Sequence, residues 1–153
     1  MSASVDLRLA RHGVIVLLLG LLTGFVIARF HNRGAGDAAH LVGLIGGFGT
    51  IALALLWPKL RLARFWSETG LWATAACMYL NWLGVVLLGA FGSGPNAGNP
   101  PLDSALLWAR TAGVLLQIAV WLSLLSTVII LFGLRKPMAA PVAEDAMSAA
   151  PSH

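Results

Sequence analysis

The chain has 153 residues, of which 58% are hydrophobic and 10% charged, against about 25% charged in an ordinary soluble domain. Mean hydropathy is +0.83. So little polar surface cannot cover a core of this size in water, which excludes a cytosolic enzyme, a nucleic-acid module and a disordered chain. The pI near 10.2 does not point to nucleic acid, because the ten Lys and Arg lie between long apolar runs and not in one patch. A single cysteine excludes an intrachain disulfide and a thiolate metal cluster.

A membrane-spanning helix needs about 20 mostly apolar residues. Four segments qualify in chain order. The first runs from Gly13 to Phe30, and the second from Ala38 to Trp57, where Pro58 stops it. The third runs from Gly70 to Phe91, and the fourth from Ala105 to Leu134, before Arg135, Lys136 and Pro137. Each is too long and unbroken for a barrel strand. The expected fold is an all-α integral membrane protein, a four-transmembrane-helix bundle over residues 1–136. Arg8 and Arg11 ahead of the first run look like the start of a signal peptide; because the chain begins at Met1, the run is expected to be a retained span. The tail at 137–153 is rich in Ala, Pro and Ser and is expected to be a loose extension. The stretch from Gly92 to Pro101 is expected to be a turn-rich loop.

Loop charges set the orientation. Arg8, Arg11, Lys59, Arg61, Arg64, Arg135 and Lys136 fall on one side, seven in all, against three on the other, Arg29, Arg33 and Arg110. The positive-inside rule puts both termini in the cytoplasm, and the protein is expected in the inner (cytoplasmic) membrane. Trp57, Trp66, Trp72 and Trp108 fall near span ends, as an aromatic belt requires, whereas Trp82 and Trp121 fall mid-span and are expected inside the bundle.

Polar groups in hydrocarbon are costly, so each is a candidate for function. His40 opens the second span, with Gly43 and Gly47 on the same helix face. Ala39, Gly43 and Gly47 form a small-residue series. It reads either as a close helix–helix contact with His40 on its rim, or as a flat face for a porphyrin beside a ligating imidazole. Tyr79, Asn81 and Trp82 sit near the middle of the third span, and an amide and a phenol there must find hydrogen bonds, between helices or with a substrate. Arg110 shares a face of the fourth span with Gly113, Gln117 and Trp121. It either snorkels outward or pairs with an anion such as a propionate. His12, His31 and His153 are expected to be solvated. No second histidine is placed to complete a bis-histidine haem, and no Cys-x-x-Cys-His motif for covalent haem occurs. There is no P-loop, no Ser/His/Asp set and no intramembrane carboxylate pair.

The run Ala39-His40-Leu41-Val42-Gly43-Leu44-Ile45-Gly46-Gly47, the Trp57-Pro58 that ends its span, Tyr79-Leu80-Asn81-Trp82 and the Gly-rich loop after them resemble hydroxylaminobenzene mutase. That family is similar in turn to styrene oxide isomerase, whose start Arg11-His12-Gly13 resembles. The resemblance covers Arg11 to Leu134. It implies a four-helix homotrimer in the lipid bilayer with haem b between subunits. It makes His40 the ligand to ferric iron, and Asn81 matches an Asn shared with the relatives; from their positions on the helices, Gly43, Gly47 and Arg110 are expected about the cofactor and Asn81 and Tyr79 as catalytic groups. It implies a redox-neutral isomerase in which iron acts as a Lewis acid on small aromatic substrates: an arylhydroxylamine becoming an aminophenol, or an aryl epoxide becoming an aldehyde. A haem electron-transfer subunit is the remaining alternative. Three positions depart from the relatives: Val42 replaces a Glu of the mutase pattern, Gly46 replaces an Asn, and Val85 replaces the isomerase's pocket tyrosine. The loss of the Asn side chain is expected to enlarge the space near the haem.

The charge bias makes a direct prediction about topology. Accessibility tags at Met1 and His153 should both report the cytoplasm; tags on opposite sides would show an odd number of spans.

Overall fold

The computed structural model of the protein describes residues 5–92 and 105–135. These form helices α1 (Leu7–Val26), α2 (Arg33–Leu56), α3 (Arg64–Phe91) and α4 (Ala105–Arg135). Short 3-10 turns, Ile27–Arg29 and Trp57–Lys59, extend α1 and α2. All four helices are long and apolar enough to cross a membrane. The loop expected after Gly92 and the tail lie outside the described residues, apart from Gly92 itself.

α1, α2 and α3 begin earlier than their apolar runs. The Asp6 side chain accepts from the N–H groups of Arg8 and Leu9 and so caps α1. Asn32 accepts from the Ala35 N–H and starts α2 at Arg33, five residues before Ala38. Capped polar turns continue a helix beyond the hydrocarbon, which a search for apolar residues cannot see. α4 is the longest, 31 residues, or about 46 Å at 1.5 Å per residue.

α1 and α2 pack most intimately, α2 lies against α3, and α4 packs on α3. The α1–α2 contact is backbone on backbone. A Cβ on Gly43 would overlap the Gly20 Cα, and one on Gly47 would lie 2.6 Å from the Leu17 nitrogen. One on Gly13 would lie 2.7 Å from the Ile51 side chain. Small residues on both helices allow this approach, which drives association where lipid offers no hydrophobic effect. The porphyrin-face reading of Gly43 and Gly47 is thereby corrected: both are buried against α1, and that face is already filled.

Loops are pinned across the bundle ends. The Asp6 N–H donates to the Ala54 carbonyl, the Asn32 N–H to Gly89 and the Arg61 N–H to Gly133. Arg8 makes a bidentate pair with Glu68, at 3.0 and 2.9 Å, joining the starts of α1 and α3. Two tryptophans depart from expectation. Trp57 is buried with Leu9, Ala54 and Leu71, and its indole N–H donates to Ser67. Trp121 is 64% exposed and faces outward, because α4 buries only the narrow stripe that meets α3.

Glycines at the contact and away from it should behave oppositely. Gly43→Val should lower the unfolding temperature in detergent, by an overpacking cost of about 2 kcal/mol or more. Gly49→Ala, where an added Cβ meets nothing within 4 Å, should leave it unchanged or raised. Equal effects at both positions would contradict this packing.

Candidate active site

The α1–α2 contact fixes His40. Its Nδ1 lies 2.8 Å from the Gly20 carbonyl oxygen. A carbonyl only accepts, so Nδ1 carries a proton, and the lone pair of the matching tautomer is on Nε2. This is the tautomer that a metal-ligating histidine takes when its other nitrogen is anchored. Gly24 leaves room for the ring: a Cβ there would lie 2.9 Å from Nδ1. His40 is half-buried, and Leu41, Ile45 and Phe48 beside it on α2 are exposed, so the imidazole lies near the bundle's outer surface.

Trp82 belongs to the same layer. Its indole N–H donates to the Thr23 hydroxyl at 3.1 Å, and Thr23 in turn donates to the Leu19 carbonyl. The Trp82 ring approaches Gly43. α1 thus offers a carbonyl to His40 and a hydroxyl to Trp82 within one turn.

Tyr79 and Asn81 are not brought together. Two residues on a helix are about 200° apart, and the two side chains face different neighbours. The Tyr79 hydroxyl meets His12 Nδ1 at 3.1 Å, and the His12 ring packs edge-on against Trp72 and Tyr79. His12 is therefore part of the bundle, which corrects its reading as solvated. His31 is likewise anchored: its Nδ1–H donates to the Ala90 carbonyl at 2.6 Å. Asn81 faces α4 instead. It lines a cavity of about 140 Å³ with Cys77, Met78, Ala119, Val120 and Ser123.

Gly46 does not leave open space. A Cβ there would lie 2.9 Å from the Met78 sulfur, so the thioether fills what the missing Asn side chain would occupy. Arg110 is exposed on α4 and makes no hydrogen bond or ion pair among the described residues. Gln117, Gly113 and Trp121 on its face are exposed too. Sequence reasoning missed the buried hydroxyl pair Thr74–Ser126, which joins α3 to α4. It also missed that Ser123 faces the same cavity as Asn81. Both serines lie among apolar residues of α4 and carry no sequence signal of their own.

Residues 5–135 match the styrene oxide isomerase family. The chain belongs to that family. Among curated proteins it is similar to two hydroxylaminobenzene mutases of Ectopseudomonas oleovorans. HabB is 36% identical over 93 residues, 61% of this chain and 57% of HabB. HabA is 39% identical over 82 residues, 54% of this chain and 61% of HabA. The matches thus span less than two thirds of either mutase. No solved structure matches. As a member of the styrene oxide isomerase family with four membrane-capable helices, the chain is a multi-pass membrane protein.

Proposed function

We propose that this protein is a haem b-dependent, redox-neutral isomerase that converts an arylhydroxylamine to an aminophenol. The observation that carries the reading is His40, whose Nδ1–H is held by the Gly20 carbonyl at 2.8 Å, leaving Nε2 free as a donor at the bundle surface. The donor set fits ferric haem: one imidazole whose Nδ1–H is anchored, with no second histidine beside it among the described residues. When bound, the haem supplies a Lewis-acidic iron that weakens an N–O or C–O bond without consuming electrons.

The chain's own residues supply the rest. His40 holds the cofactor, and the Gly20 carbonyl orients and enriches the imidazole. The Asn81 amide binds the polar substituent of the substrate. The apolar helix walls exclude water, which would otherwise trap an aryl cation before it rearranges. The overall change balances within the substrate: the N–O bond breaks, a C–O bond forms on the ring, and a ring proton is exchanged for one on nitrogen.

Two exposed faces support a homotrimer. The Gln117 amide lies mid-helix on an outward face with no partner in its own chain among the described residues, and a polar group in hydrocarbon requires one. His40 also opens outward. A second copy covers both, and Arg110 reaches the cofactor only across that boundary, because α4 packs on α3. The charge bias supports an orientation with both ends in the cytoplasm, in keeping with an inner (cytoplasmic) membrane protein. The family match gives a specific reason for a second reading, in which an aryl epoxide is isomerised to an aldehyde.

Purified ferric protein, supplied with phenylhydroxylamine or styrene oxide and no reductant, decides between them by product chromatography. Aminophenol supports the first reading and phenylacetaldehyde the second. His40→Ala should abolish the Soret absorbance and turnover while His31→Ala keeps both. Turnover of neither substrate, together with reduction of the haem by a quinol, would replace both readings with electron transfer.

A further inference from the structure

At the end of the bundle where α1 starts and α4 stops, the turn between α2 and α3 is fastened to α4. The Arg61 N–H donates to the Gly133 carbonyl, and a Cβ on Gly133 would lie 3.1 Å from the Leu62 side chain. The turn therefore rests on α4 where α4 has no side chain. Beside this contact a groove of about 840 Å³ opens between the first turn of α3 and the last turns of α4. That volume lies within the range of about 300–1,000 Å³ typical of ligand sites.

The groove is divided along its length into an apolar and a charged part. Leu125, Val128 and Phe132 form its α4 wall and are exposed. Trp66, packed edge-on against Phe65, supplies a wall from α3. Arg61 and Arg135 line it at the bundle's rim. From Leu125 to Arg135 is about 15 Å of helix rise, half of a hydrocarbon core about 30 Å thick. The groove thus runs the depth of one leaflet, with guanidinium groups at the interface, a tryptophan at belt level and apolar side chains below.

Charge decides the headgroup. No described carboxylate lines the groove. The carboxylates described at this end are engaged elsewhere: Glu68 pairs with Arg8, and Asp6 caps α1. An ammonium headgroup has no counter-charge to meet there, whereas a phosphate meets two guanidinium groups, whose paired N–H donors match its oxygens.

We propose that this groove binds one phospholipid with an anionic headgroup, its phosphate between Arg61 and Arg135 and an acyl chain along Leu125, Val128 and Phe132. With both ends of the chain in the cytoplasm, the lipid belongs to the cytoplasmic leaflet. The site is separate from His40, which lies near the start of α2 at the opposite end of the bundle, so it stands independently of the isomerase reading.

Native mass spectrometry of the delipidated full-length protein in detergent tests it. The probes are phosphatidylglycerol and phosphatidylcholine with the same acyl chains, and inorganic phosphate. The unaltered protein should bind phosphatidylglycerol at least about tenfold more tightly than phosphatidylcholine. Arg61→Gln and Arg135→Gln should each weaken phosphatidylglycerol about fivefold, the change that ~1 kcal/mol per basic residue gives. Arg11→Gln, at the same end but on α1, should leave binding unchanged. Excess inorganic phosphate should not displace the lipid, because it makes no use of the apolar wall. Arg135 is exposed at the end of α4, so its variant keeps the test decisive should Arg61→Gln not fold. Equal affinity for the two lipids, an equal loss in Arg11→Gln, or displacement by inorganic phosphate would overturn the proposal. So would retention of neither lipid, the result expected if a second copy of the chain fills the groove.

Discussion

In hydrocarbon no hydrophobic effect presses helices together, so α1 and α2 are held by backbone lying against backbone at Gly13, Gly20, Gly43 and Gly47. That closeness does more than join two helices. It brings the Gly20 carbonyl within hydrogen-bonding reach of His40 Nδ1, and it leaves at Gly24 the only width that the imidazole requires. A helical carbonyl normally bonds only its own i+4 N–H; here it accepts from a second donor, because no side chain at Gly20 or Gly24 stands in the way. The placing of His40 therefore begins with missing side chains.

The polar groups buried between helices then fix how the pairs are oriented. Thr23 to Trp82 ties α1 to α3, His12 to Tyr79 ties the same helices nearer their starts, and Thr74 to Ser126 ties α3 to α4. Each bond in this medium is worth about 0.6 kcal/mol on average. Together they specify rotation about each helix axis more than they add stability. Asn81 and Ser123 are the polar groups near mid-helix, facing one cavity, that this network leaves without a partner among the described residues.

The span count and the helix class were legible in the sequence because apolar runs of this length have few other solutions. His40 was legible too, since a histidine inside an apolar run beside glycines stands out. Which way the glycines face was not. A series at i, i+3 and i+7 describes a flat stripe equally well whether a cofactor or a neighbouring backbone lies on it, and only the partner's own glycine, Gly20, decides. Tyr79 and Asn81 were read as one site from their nearness in sequence, although the helical repeat turns them to opposite neighbours. Trp121 was expected inside by its mid-span position, yet its depth in the membrane says nothing about which side of α4 it occupies. Gly46 was read as added space, and the Met78 sulfur that fills it comes from another helix.

The central claim is that the close α1–α2 contact positions His40 to hold iron. The most direct measurement is the Soret absorbance per protein of Gly24→Leu, which leaves His40 in the sequence and crowds its ring from α1. The account predicts that this variant inserts into the membrane and loses most of the absorbance. Full absorbance in Gly24→Leu, alongside its loss in His40→Ala, would show that His40 binds haem without the anchor that α1 provides, and would contradict the account.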